Sequence, residues 1–72
     1  MSPAPPQRGQ VAAFDEAVGL GTVRGDDGRD YPFHCTQIAG GSRSIPAGTR
    51  VEFEVVPGQL GRWEAAAIRQ ND

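Results

Sequence analysis

The sequence predicts an all-β domain, a five-stranded antiparallel barrel, from three observations. Short β-prone runs recur every eight to twelve residues with Gly-, Asp- and Pro-rich turns between them. One run, Thr49–Val55, alternates apolar and charged residues without a break. The chain has 72 residues, enough for one domain that buries roughly 60% of its unfolded surface. At that length a closed barrel is the economical arrangement, because closure removes most exposed strand edges.

Ser2-Pro3-Ala4-Pro5-Pro6-Gln7-Arg8 is a Pro-rich lead whose missing backbone donors favour extended geometry. Residues 1–8 are therefore expected as a disordered tail and 9–70 as the domain. Gln10–Phe14 is an apolar run followed by Asp15-Glu16 and forms the first strand. Gly19–Arg24 forms the second, with glycines that let another group approach its backbone. Gly25-Asp26-Asp27-Gly28 is a dense turn signal that closes a hairpin. Asp30–Cys35 is aromatic and β-prone, and Pro32 within it argues for an edge or one-sided strand. Ile38–Gly48 reads as a loop rich in Gly, Ser and Arg. In the fourth strand Val51, Phe53 and Val55 point one way while Arg50, Glu52 and Glu54 point the other. After a turn at Pro57–Gly61, Trp63–Arg69 contains good helix formers, but an uncapped helix of that length is marginal. It reads as a fifth strand held by tertiary pairing.

Composition narrows the chemistry. One cysteine forms no internal disulfide, and with one histidine it falls short of a structural zinc site. His34 and Cys35 are neighbours in a strand, so their side chains are expected on opposite faces, unable to act as base and nucleophile. Asp26, Asp27 and Asp30 lack the spaced ligands of a calcium loop, and Gly19-x-Gly21 is too short for a phosphate-binding fingerprint. No metal, cofactor or catalysis is expected. Seven arginines against nine acids give a net charge of −2, an ordinary globular balance rather than a strongly basic one. No apolar run is long enough for a membrane helix, and the first ten residues carry no apolar signal-peptide core. The expected compartment is the cytoplasm, with no membrane partner.

Several motifs fall in order on one known pattern. Gly9-Gln10-Val11-Ala12-Ala13-Phe14-Asp15 lies on Gly-x-Val-Lys-Trp-Phe-Asn, and Val18-Gly19-Leu20-Gly21-Thr22-Val23 on Lys-Gly-Phe-Gly-Phe-Ile. Tyr31-Pro32-Phe33-His34-Cys35, then Thr36-Gln37-Ile38, lies on Val-Phe-Val-His-Phe and Ser-x-Ile. Ile45–Val56 follows Leu-x-x-Gly-Gln-x-Val-x-Phe-x-Val almost unchanged, and Ala65-Ala66-Ala67-Ile68 follows Ala-Ala-Asn-Val. From Gly9 to Arg69 the chain resembles the bacterial cold-shock protein family, single domains folded as five-stranded OB-type barrels. The resemblance implies binding of single-stranded RNA or DNA by stacking of bases on aromatics of the second and third strands, worth ~1–3 kcal/mol per base.

The chain departs from that pattern where the stacking is done. Ala13 takes the tryptophan position, Leu20 and Thr22 the two motif phenylalanines, and Pro32 and Cys35 the second-motif aromatics. Ala12 and Val18 replace lysines, while Phe14, Gly19, Gly21 and His34 are kept. Phe14 is either a platform or part of the barrel edge, and His34 either a binding residue or a hydrogen-bonded surface one. Tyr31 and Phe33 fall on inward aliphatic positions and are expected in the core. Cys35 reads as a small, partly buried hydrophobe, with a redox or intermolecular role as the alternative. Trp63 has no aromatic counterpart in the family and has three readings: a replacement platform, a cap on the core, or a self-association contact. Arg8, Arg24, Arg29, Arg43 and Arg62 meet phosphates on one reading and pair with acids on the other.

The resulting expectation is a small protein, monomer or weak dimer, that binds single-stranded RNA or DNA weakly and with little sequence specificity. Its site residues are Phe14, Leu20, Thr22, His34, Trp63 and Arg43. The alternative is a degenerate domain that has lost nucleic acid and offers Leu20, Thr22, Pro32 and Cys35 to a protein partner or a second copy.

Overall fold

Alternation along Thr49–Val55 sets the interior: Val51 and Phe53 are fully buried while Arg50 and Glu54 are exposed. The computed structural model describes residues 6–58 and 61–70 and places this run in β4 (Arg50–Pro57). β4 lies between β1 (Gln7–Asp15) and β5 (Trp63–Gln70). β1 pairs in turn with β2 (Leu20–Gly25), and β2 with β3 (Asp30–His34). Every pairing is antiparallel, in the order β3-β2-β1-β4-β5. Among the described residues no helix is long and apolar enough to cross a membrane.

The start of β1 differs from expectation. Gln7 and Arg8, read as the end of the lead, are the first rungs of β1, opposite Phe53 and Glu52. The rest of the lead, apart from Pro6, lies outside the described residues, as do Gln59 and Leu60 in the turn after β4. Closure is also incomplete. β3 and β5 are the two ends of the sheet and face each other, joined past β3 by a parallel bridge from Ile38 to Ile68 and by the Ala67 N–H, which donates to Gln37 Oε1 at 3.3 Å. Pro32 sits in an end strand, where a missing N–H need not break a ladder.

The core threads through all five strands and the loop after β3. Phe53, Ile68, Val11, Val23 and Val51 are its largest fully buried side chains, and full burial of such groups stabilises by roughly 1.5–3 kcal/mol each. Ile38 and Ile45 are also buried, so the Gly- and Ser-rich segment between β3 and β4 is anchored at two points. Tyr31 and Phe33 lie in the core as expected, with Tyr31 tilted against Phe53 at 5.4 Å between ring centroids. Gly21 makes room for Phe33: a Cβ there would stand 2.6 Å from Cζ of that ring and 2.8 Å from the carbonyl oxygen of Ala13.

Two bulges shape the sheet. β1 carries one extra residue between Val11 and Ala13, and past it Val11 bonds both ways with Gly48 and Thr49. β5 carries another opposite Phe53, where the pairing steps from Glu52–Arg69 to Glu54–Ala66. Here Ala67 adopts φ +50°, among the described residues the one non-glycine in the left-handed region. That conformation costs an alanine ~1–2 kcal/mol, and the resembled pattern places asparagine there, which tolerates it better. Ala67→Gly, or Ala67→Asn, is expected to stabilise the domain by about 1 kcal/mol, read as a higher midpoint in urea with unchanged slope; a lower midpoint would contradict the strain.

Candidate nucleic-acid interface

Burial of Val23, Tyr31 and Phe33 turns the alternate residues of β2 and β3 outward. Leu20 stands opposite His34, Thr22 opposite Pro32, and Arg24 opposite Asp30. β1 adds Asp15 beside Leu20 and Ala13 beside Thr22. Leu20 is 52% exposed. It borders a cleft of about 270 Å³ with Gly21, Pro32, Phe33, His34 and, from β5, Glu64.

His34 ends β3 and caps the 3-10 turn Cys35–Gln37. Its Nδ1 accepts from the backbone N–H of Thr36 at 3.3 Å and lies 3.0 Å from that residue's Oγ1. A ring nitrogen that accepts is unprotonated, so the neutral tautomer carries its proton on Nε2, a donor left free of Thr36. The chain leaves the strand at Cys35, and the expected separation of the two side chains is lost with it: Cys35 Sγ lies 3.9 Å from His34 Nδ1. Opposite faces follow only where a strand continues. Cys35 is half-buried against the core, as a small hydrophobe would be.

The site residues expected from sequence therefore divide. Leu20, Thr22 and His34 share one outward strip. Phe14 does not join it: its ring is half-buried and stacks on Phe33 at 5.8 Å and 13°, in the Phe14–Gly21–Phe33 row that faces the core. Trp63, 55% exposed, borders a separate cleft of about 450 Å³ with Arg29, Asp30, Tyr31 and Val55. Arg43 borders a third cleft of about 460 Å³ with Cys35, Thr36, Ile38, Gly41 and Ser42.

Residues 7–71 match the family model described as the 'Cold-shock' DNA-binding domain. The chain belongs to that family. Cold shock protein CspB of Geobacillus stearothermophilus is 36% identical over 64 residues, 88% of this chain and 97% of that protein. Cold shock protein CspD of Bacillus subtilis is 38% identical with the same coverage. A solved structure of drosophila Unr (CSD456) superposes with a TM-score of 0.77 at 29% identity. It covers 93% of this chain, which spans 27% of that one. The family is a nucleic-acid-binding one.

Four ion pairs engage part of the charge of this cold-shock domain. Arg24 and Asp30 bond at 2.8 and 3.4 Å, and the guanidinium holds the Asp30 carboxyl below the ordinary carboxylate range. Arg50 grips Asp26 through two bonds of 3.1 and 3.2 Å, and Glu52 takes Arg69 at 2.8 Å and Arg8 at 3.9 Å. Such exposed pairs add little net stability, but they occupy four of the seven arginines. Among the described residues, Arg29, Arg43 and Arg62 have no carboxylate within 4.0 Å. Arg29 beside Trp63 and Glu64 in the Leu20 cleft are not legible in the sequence. Each belongs to a contact between strands distant in the chain, which spacing does not reveal.

Asp27 completes the β2–β3 turn. The Tyr31 hydroxyl donates to it at 2.6 Å and the backbone N–H of Arg29 at 2.9 Å. These bonds pull the Asp27 carboxyl below its usual range, and the same hydrogen bond, with burial, raises the Tyr31 phenol. A lowered carboxyl stabilises the fold above its unfolded-state titration and loses that contribution as pH falls through the folded one. In Tyr31→Phe the Asp27 midpoint, followed by carboxyl NMR, is expected to rise toward the ordinary value. The variant's stability deficit is expected at neutral pH and should vanish on acidification; a midpoint that stays put would refute the bond's role.

Proposed function

We propose that this domain binds single-stranded nucleic acid, RNA or DNA, weakly and with little base preference. The observation that carries the reading is the outward strip of Leu20, Thr22, Pro32 and His34, left open on a fold whose family binds nucleic acid. Base faces lie on the aliphatic surfaces of Leu20 and Pro32, and Nε2–H of His34 donates to a base edge or a phosphate. Apolar contact without a π-face gives each base less than the ~1–3 kcal/mol of aromatic stacking. Phosphate attraction is small because Arg24, the cation on this strip, is held by Asp30. Little base preference follows, since no side chain here presents the paired donor and acceptor that reads one base edge.

A second reading rests on a specific observation: Asp15 stands beside Leu20 and Glu64 lines its cleft. Carboxylates there oppose phosphates and suit a basic, apolar protein segment.

Anisotropy of end-labelled pyrimidine-rich and mixed-sequence strands at low salt separates the two. The expected result is saturable binding in the range of about 10–100 µM that weakens as salt is added. Leu20→Asp should cut affinity at least about fivefold while leaving thermal stability unchanged, since exposed substitutions move stability by about 0.5 kcal/mol or less. Absence of saturable binding at millimolar strand would overturn the nucleic-acid reading in favour of a protein partner.

A further inference from the structure

We infer that the cleft between Trp63 and Arg29 takes one nucleotide of the bound strand, its base on the indole and its phosphate on the guanidinium. The inference rests on the single-strand reading above and relocates the principal base contact from the β2–β3 strip to the β3–β5 seam.

Three observations converge on this cleft. The first is the ring. Of five aromatic residues, Tyr31, Phe33 and Phe53 are in the core and Phe14 stacks on Phe33. Trp63 alone is exposed, at 55%. That exposure removes the core-cap reading, and an indole face is a sequence-tolerant stacking surface.

The second is charge. Arg29 projects from the β2–β3 turn, where Asp26 is paired with Arg50 and Asp30 with Arg24, while Asp27 bonds to Tyr31 and attracts Arg29 only at longer range. Asp30 lines the cleft, yet its charge is answered by the 2.8 Å bond to Arg24. Arg29 lines the same cleft and has no carboxylate within 4.0 Å among the described residues. Arg62, next to Trp63 in the chain, is exposed and likewise has no carboxylate within 4.0 Å among the described residues. A free guanidinium beside an exposed indole matches a nucleotide's own pairing of anionic phosphate and aromatic base.

The third is continuity. The Leu20 cleft is lined by Pro32, Phe33 and His34 of β3 and Glu64 of β5; the Trp63 cleft by Asp30 and Tyr31 of β3 and Trp63 of β5. The two are therefore consecutive along the same pair of facing strands. A strand lying along β3 passes from His34 to Trp63, and Glu64 between them favours the base rather than the phosphate side.

The experiment measures anisotropy of a labelled six-nucleotide strand with Trp63→Ala, Trp63→Phe, Arg29→Ala and Leu20→Asp, with Arg69→Ala as a control paired elsewhere. Quenching of the wild type's single tryptophan is read in parallel. Trp63→Ala is expected to weaken binding by about 5- to 100-fold and Trp63→Phe to restore most of it. Arg29→Ala should lower the slope of log affinity against log salt by about 0.7, with Arg69→Ala within about twofold of wild type. Arg29→Ala and the wild-type quenching keep the test valid should the Ala variant unfold. An unchanged salt slope in Arg29→Ala and no quenching of the wild-type tryptophan, with Trp63→Ala, if folded, at wild-type affinity and Leu20→Asp impaired, overturn this site and leave single-strand binding standing. A wild-type protein that binds no strand overturns both.

Discussion

The ring of Phe33 pressed against Gly21 is the contact on which the rest of this surface depends. Gly21 has no Cβ to hold the ring away, so Phe33 lies across β2 and Phe14 stacks on its far side. Tyr31 meets Phe53 from the adjacent row. A domain this small has few large side chains with which to fill a barrel, and here four of the five aromatic rings serve that purpose. Packing to native density then leaves the outward rows of β2 and β3 to Leu20, Thr22, Pro32 and His34.

Electrostatics follow the same division. The acids of the β2–β3 turn are each matched to a neighbour, and β4 and β5 match Glu52 to Arg69. Among the described residues Arg29 has no carboxylate within 4.0 Å, and it borders the same cleft as the one exposed ring, Trp63. Carboxylates Asp15 and Glu64 border the Leu20 cleft instead. With a net charge of −2, long-range steering of a polyanion is weak, so binding rests on short-range contacts, and these are concentrated where ring and guanidinium coincide.

Much of the architecture was legible residue by residue. The period of two in Thr49–Val55 identified β4 and its buried face, and Gly25-Asp26-Asp27-Gly28 identified the hairpin. Tyr31 and Phe33 were placed inside because they fell on inward aliphatic positions of the resembled pattern. What was not legible depends on contacts between distant segments. The extra residue in β1 has no local signal, because alanine at 12 and 13 suits either register. Cys35 reads as a continuation of β3, but His34 caps a 3-10 turn and redirects the chain. Gln7 and Arg8 belong to β1 only because Phe53 and Glu52 are there to pair with them. The partnerships of the arginines were hidden for the same reason: Arg50 reaches an aspartate 24 positions away. Phe14 was ambiguous until its ring was seen against Phe33.

We propose that this cold-shock domain, with most of its rings turned inward, meets a single strand along the β3–β5 seam, ending on Trp63. The most direct measurement is a backbone amide shift map of the isotopically labelled protein titrated with a short pyrimidine-rich strand. The account predicts the largest shifts at Arg29–His34 and at Trp63 and Glu64, with the tryptophan indole N–H among them. Shifts confined to the segment from Ala39 to Gly48, or to the outer face of β4, would contradict it.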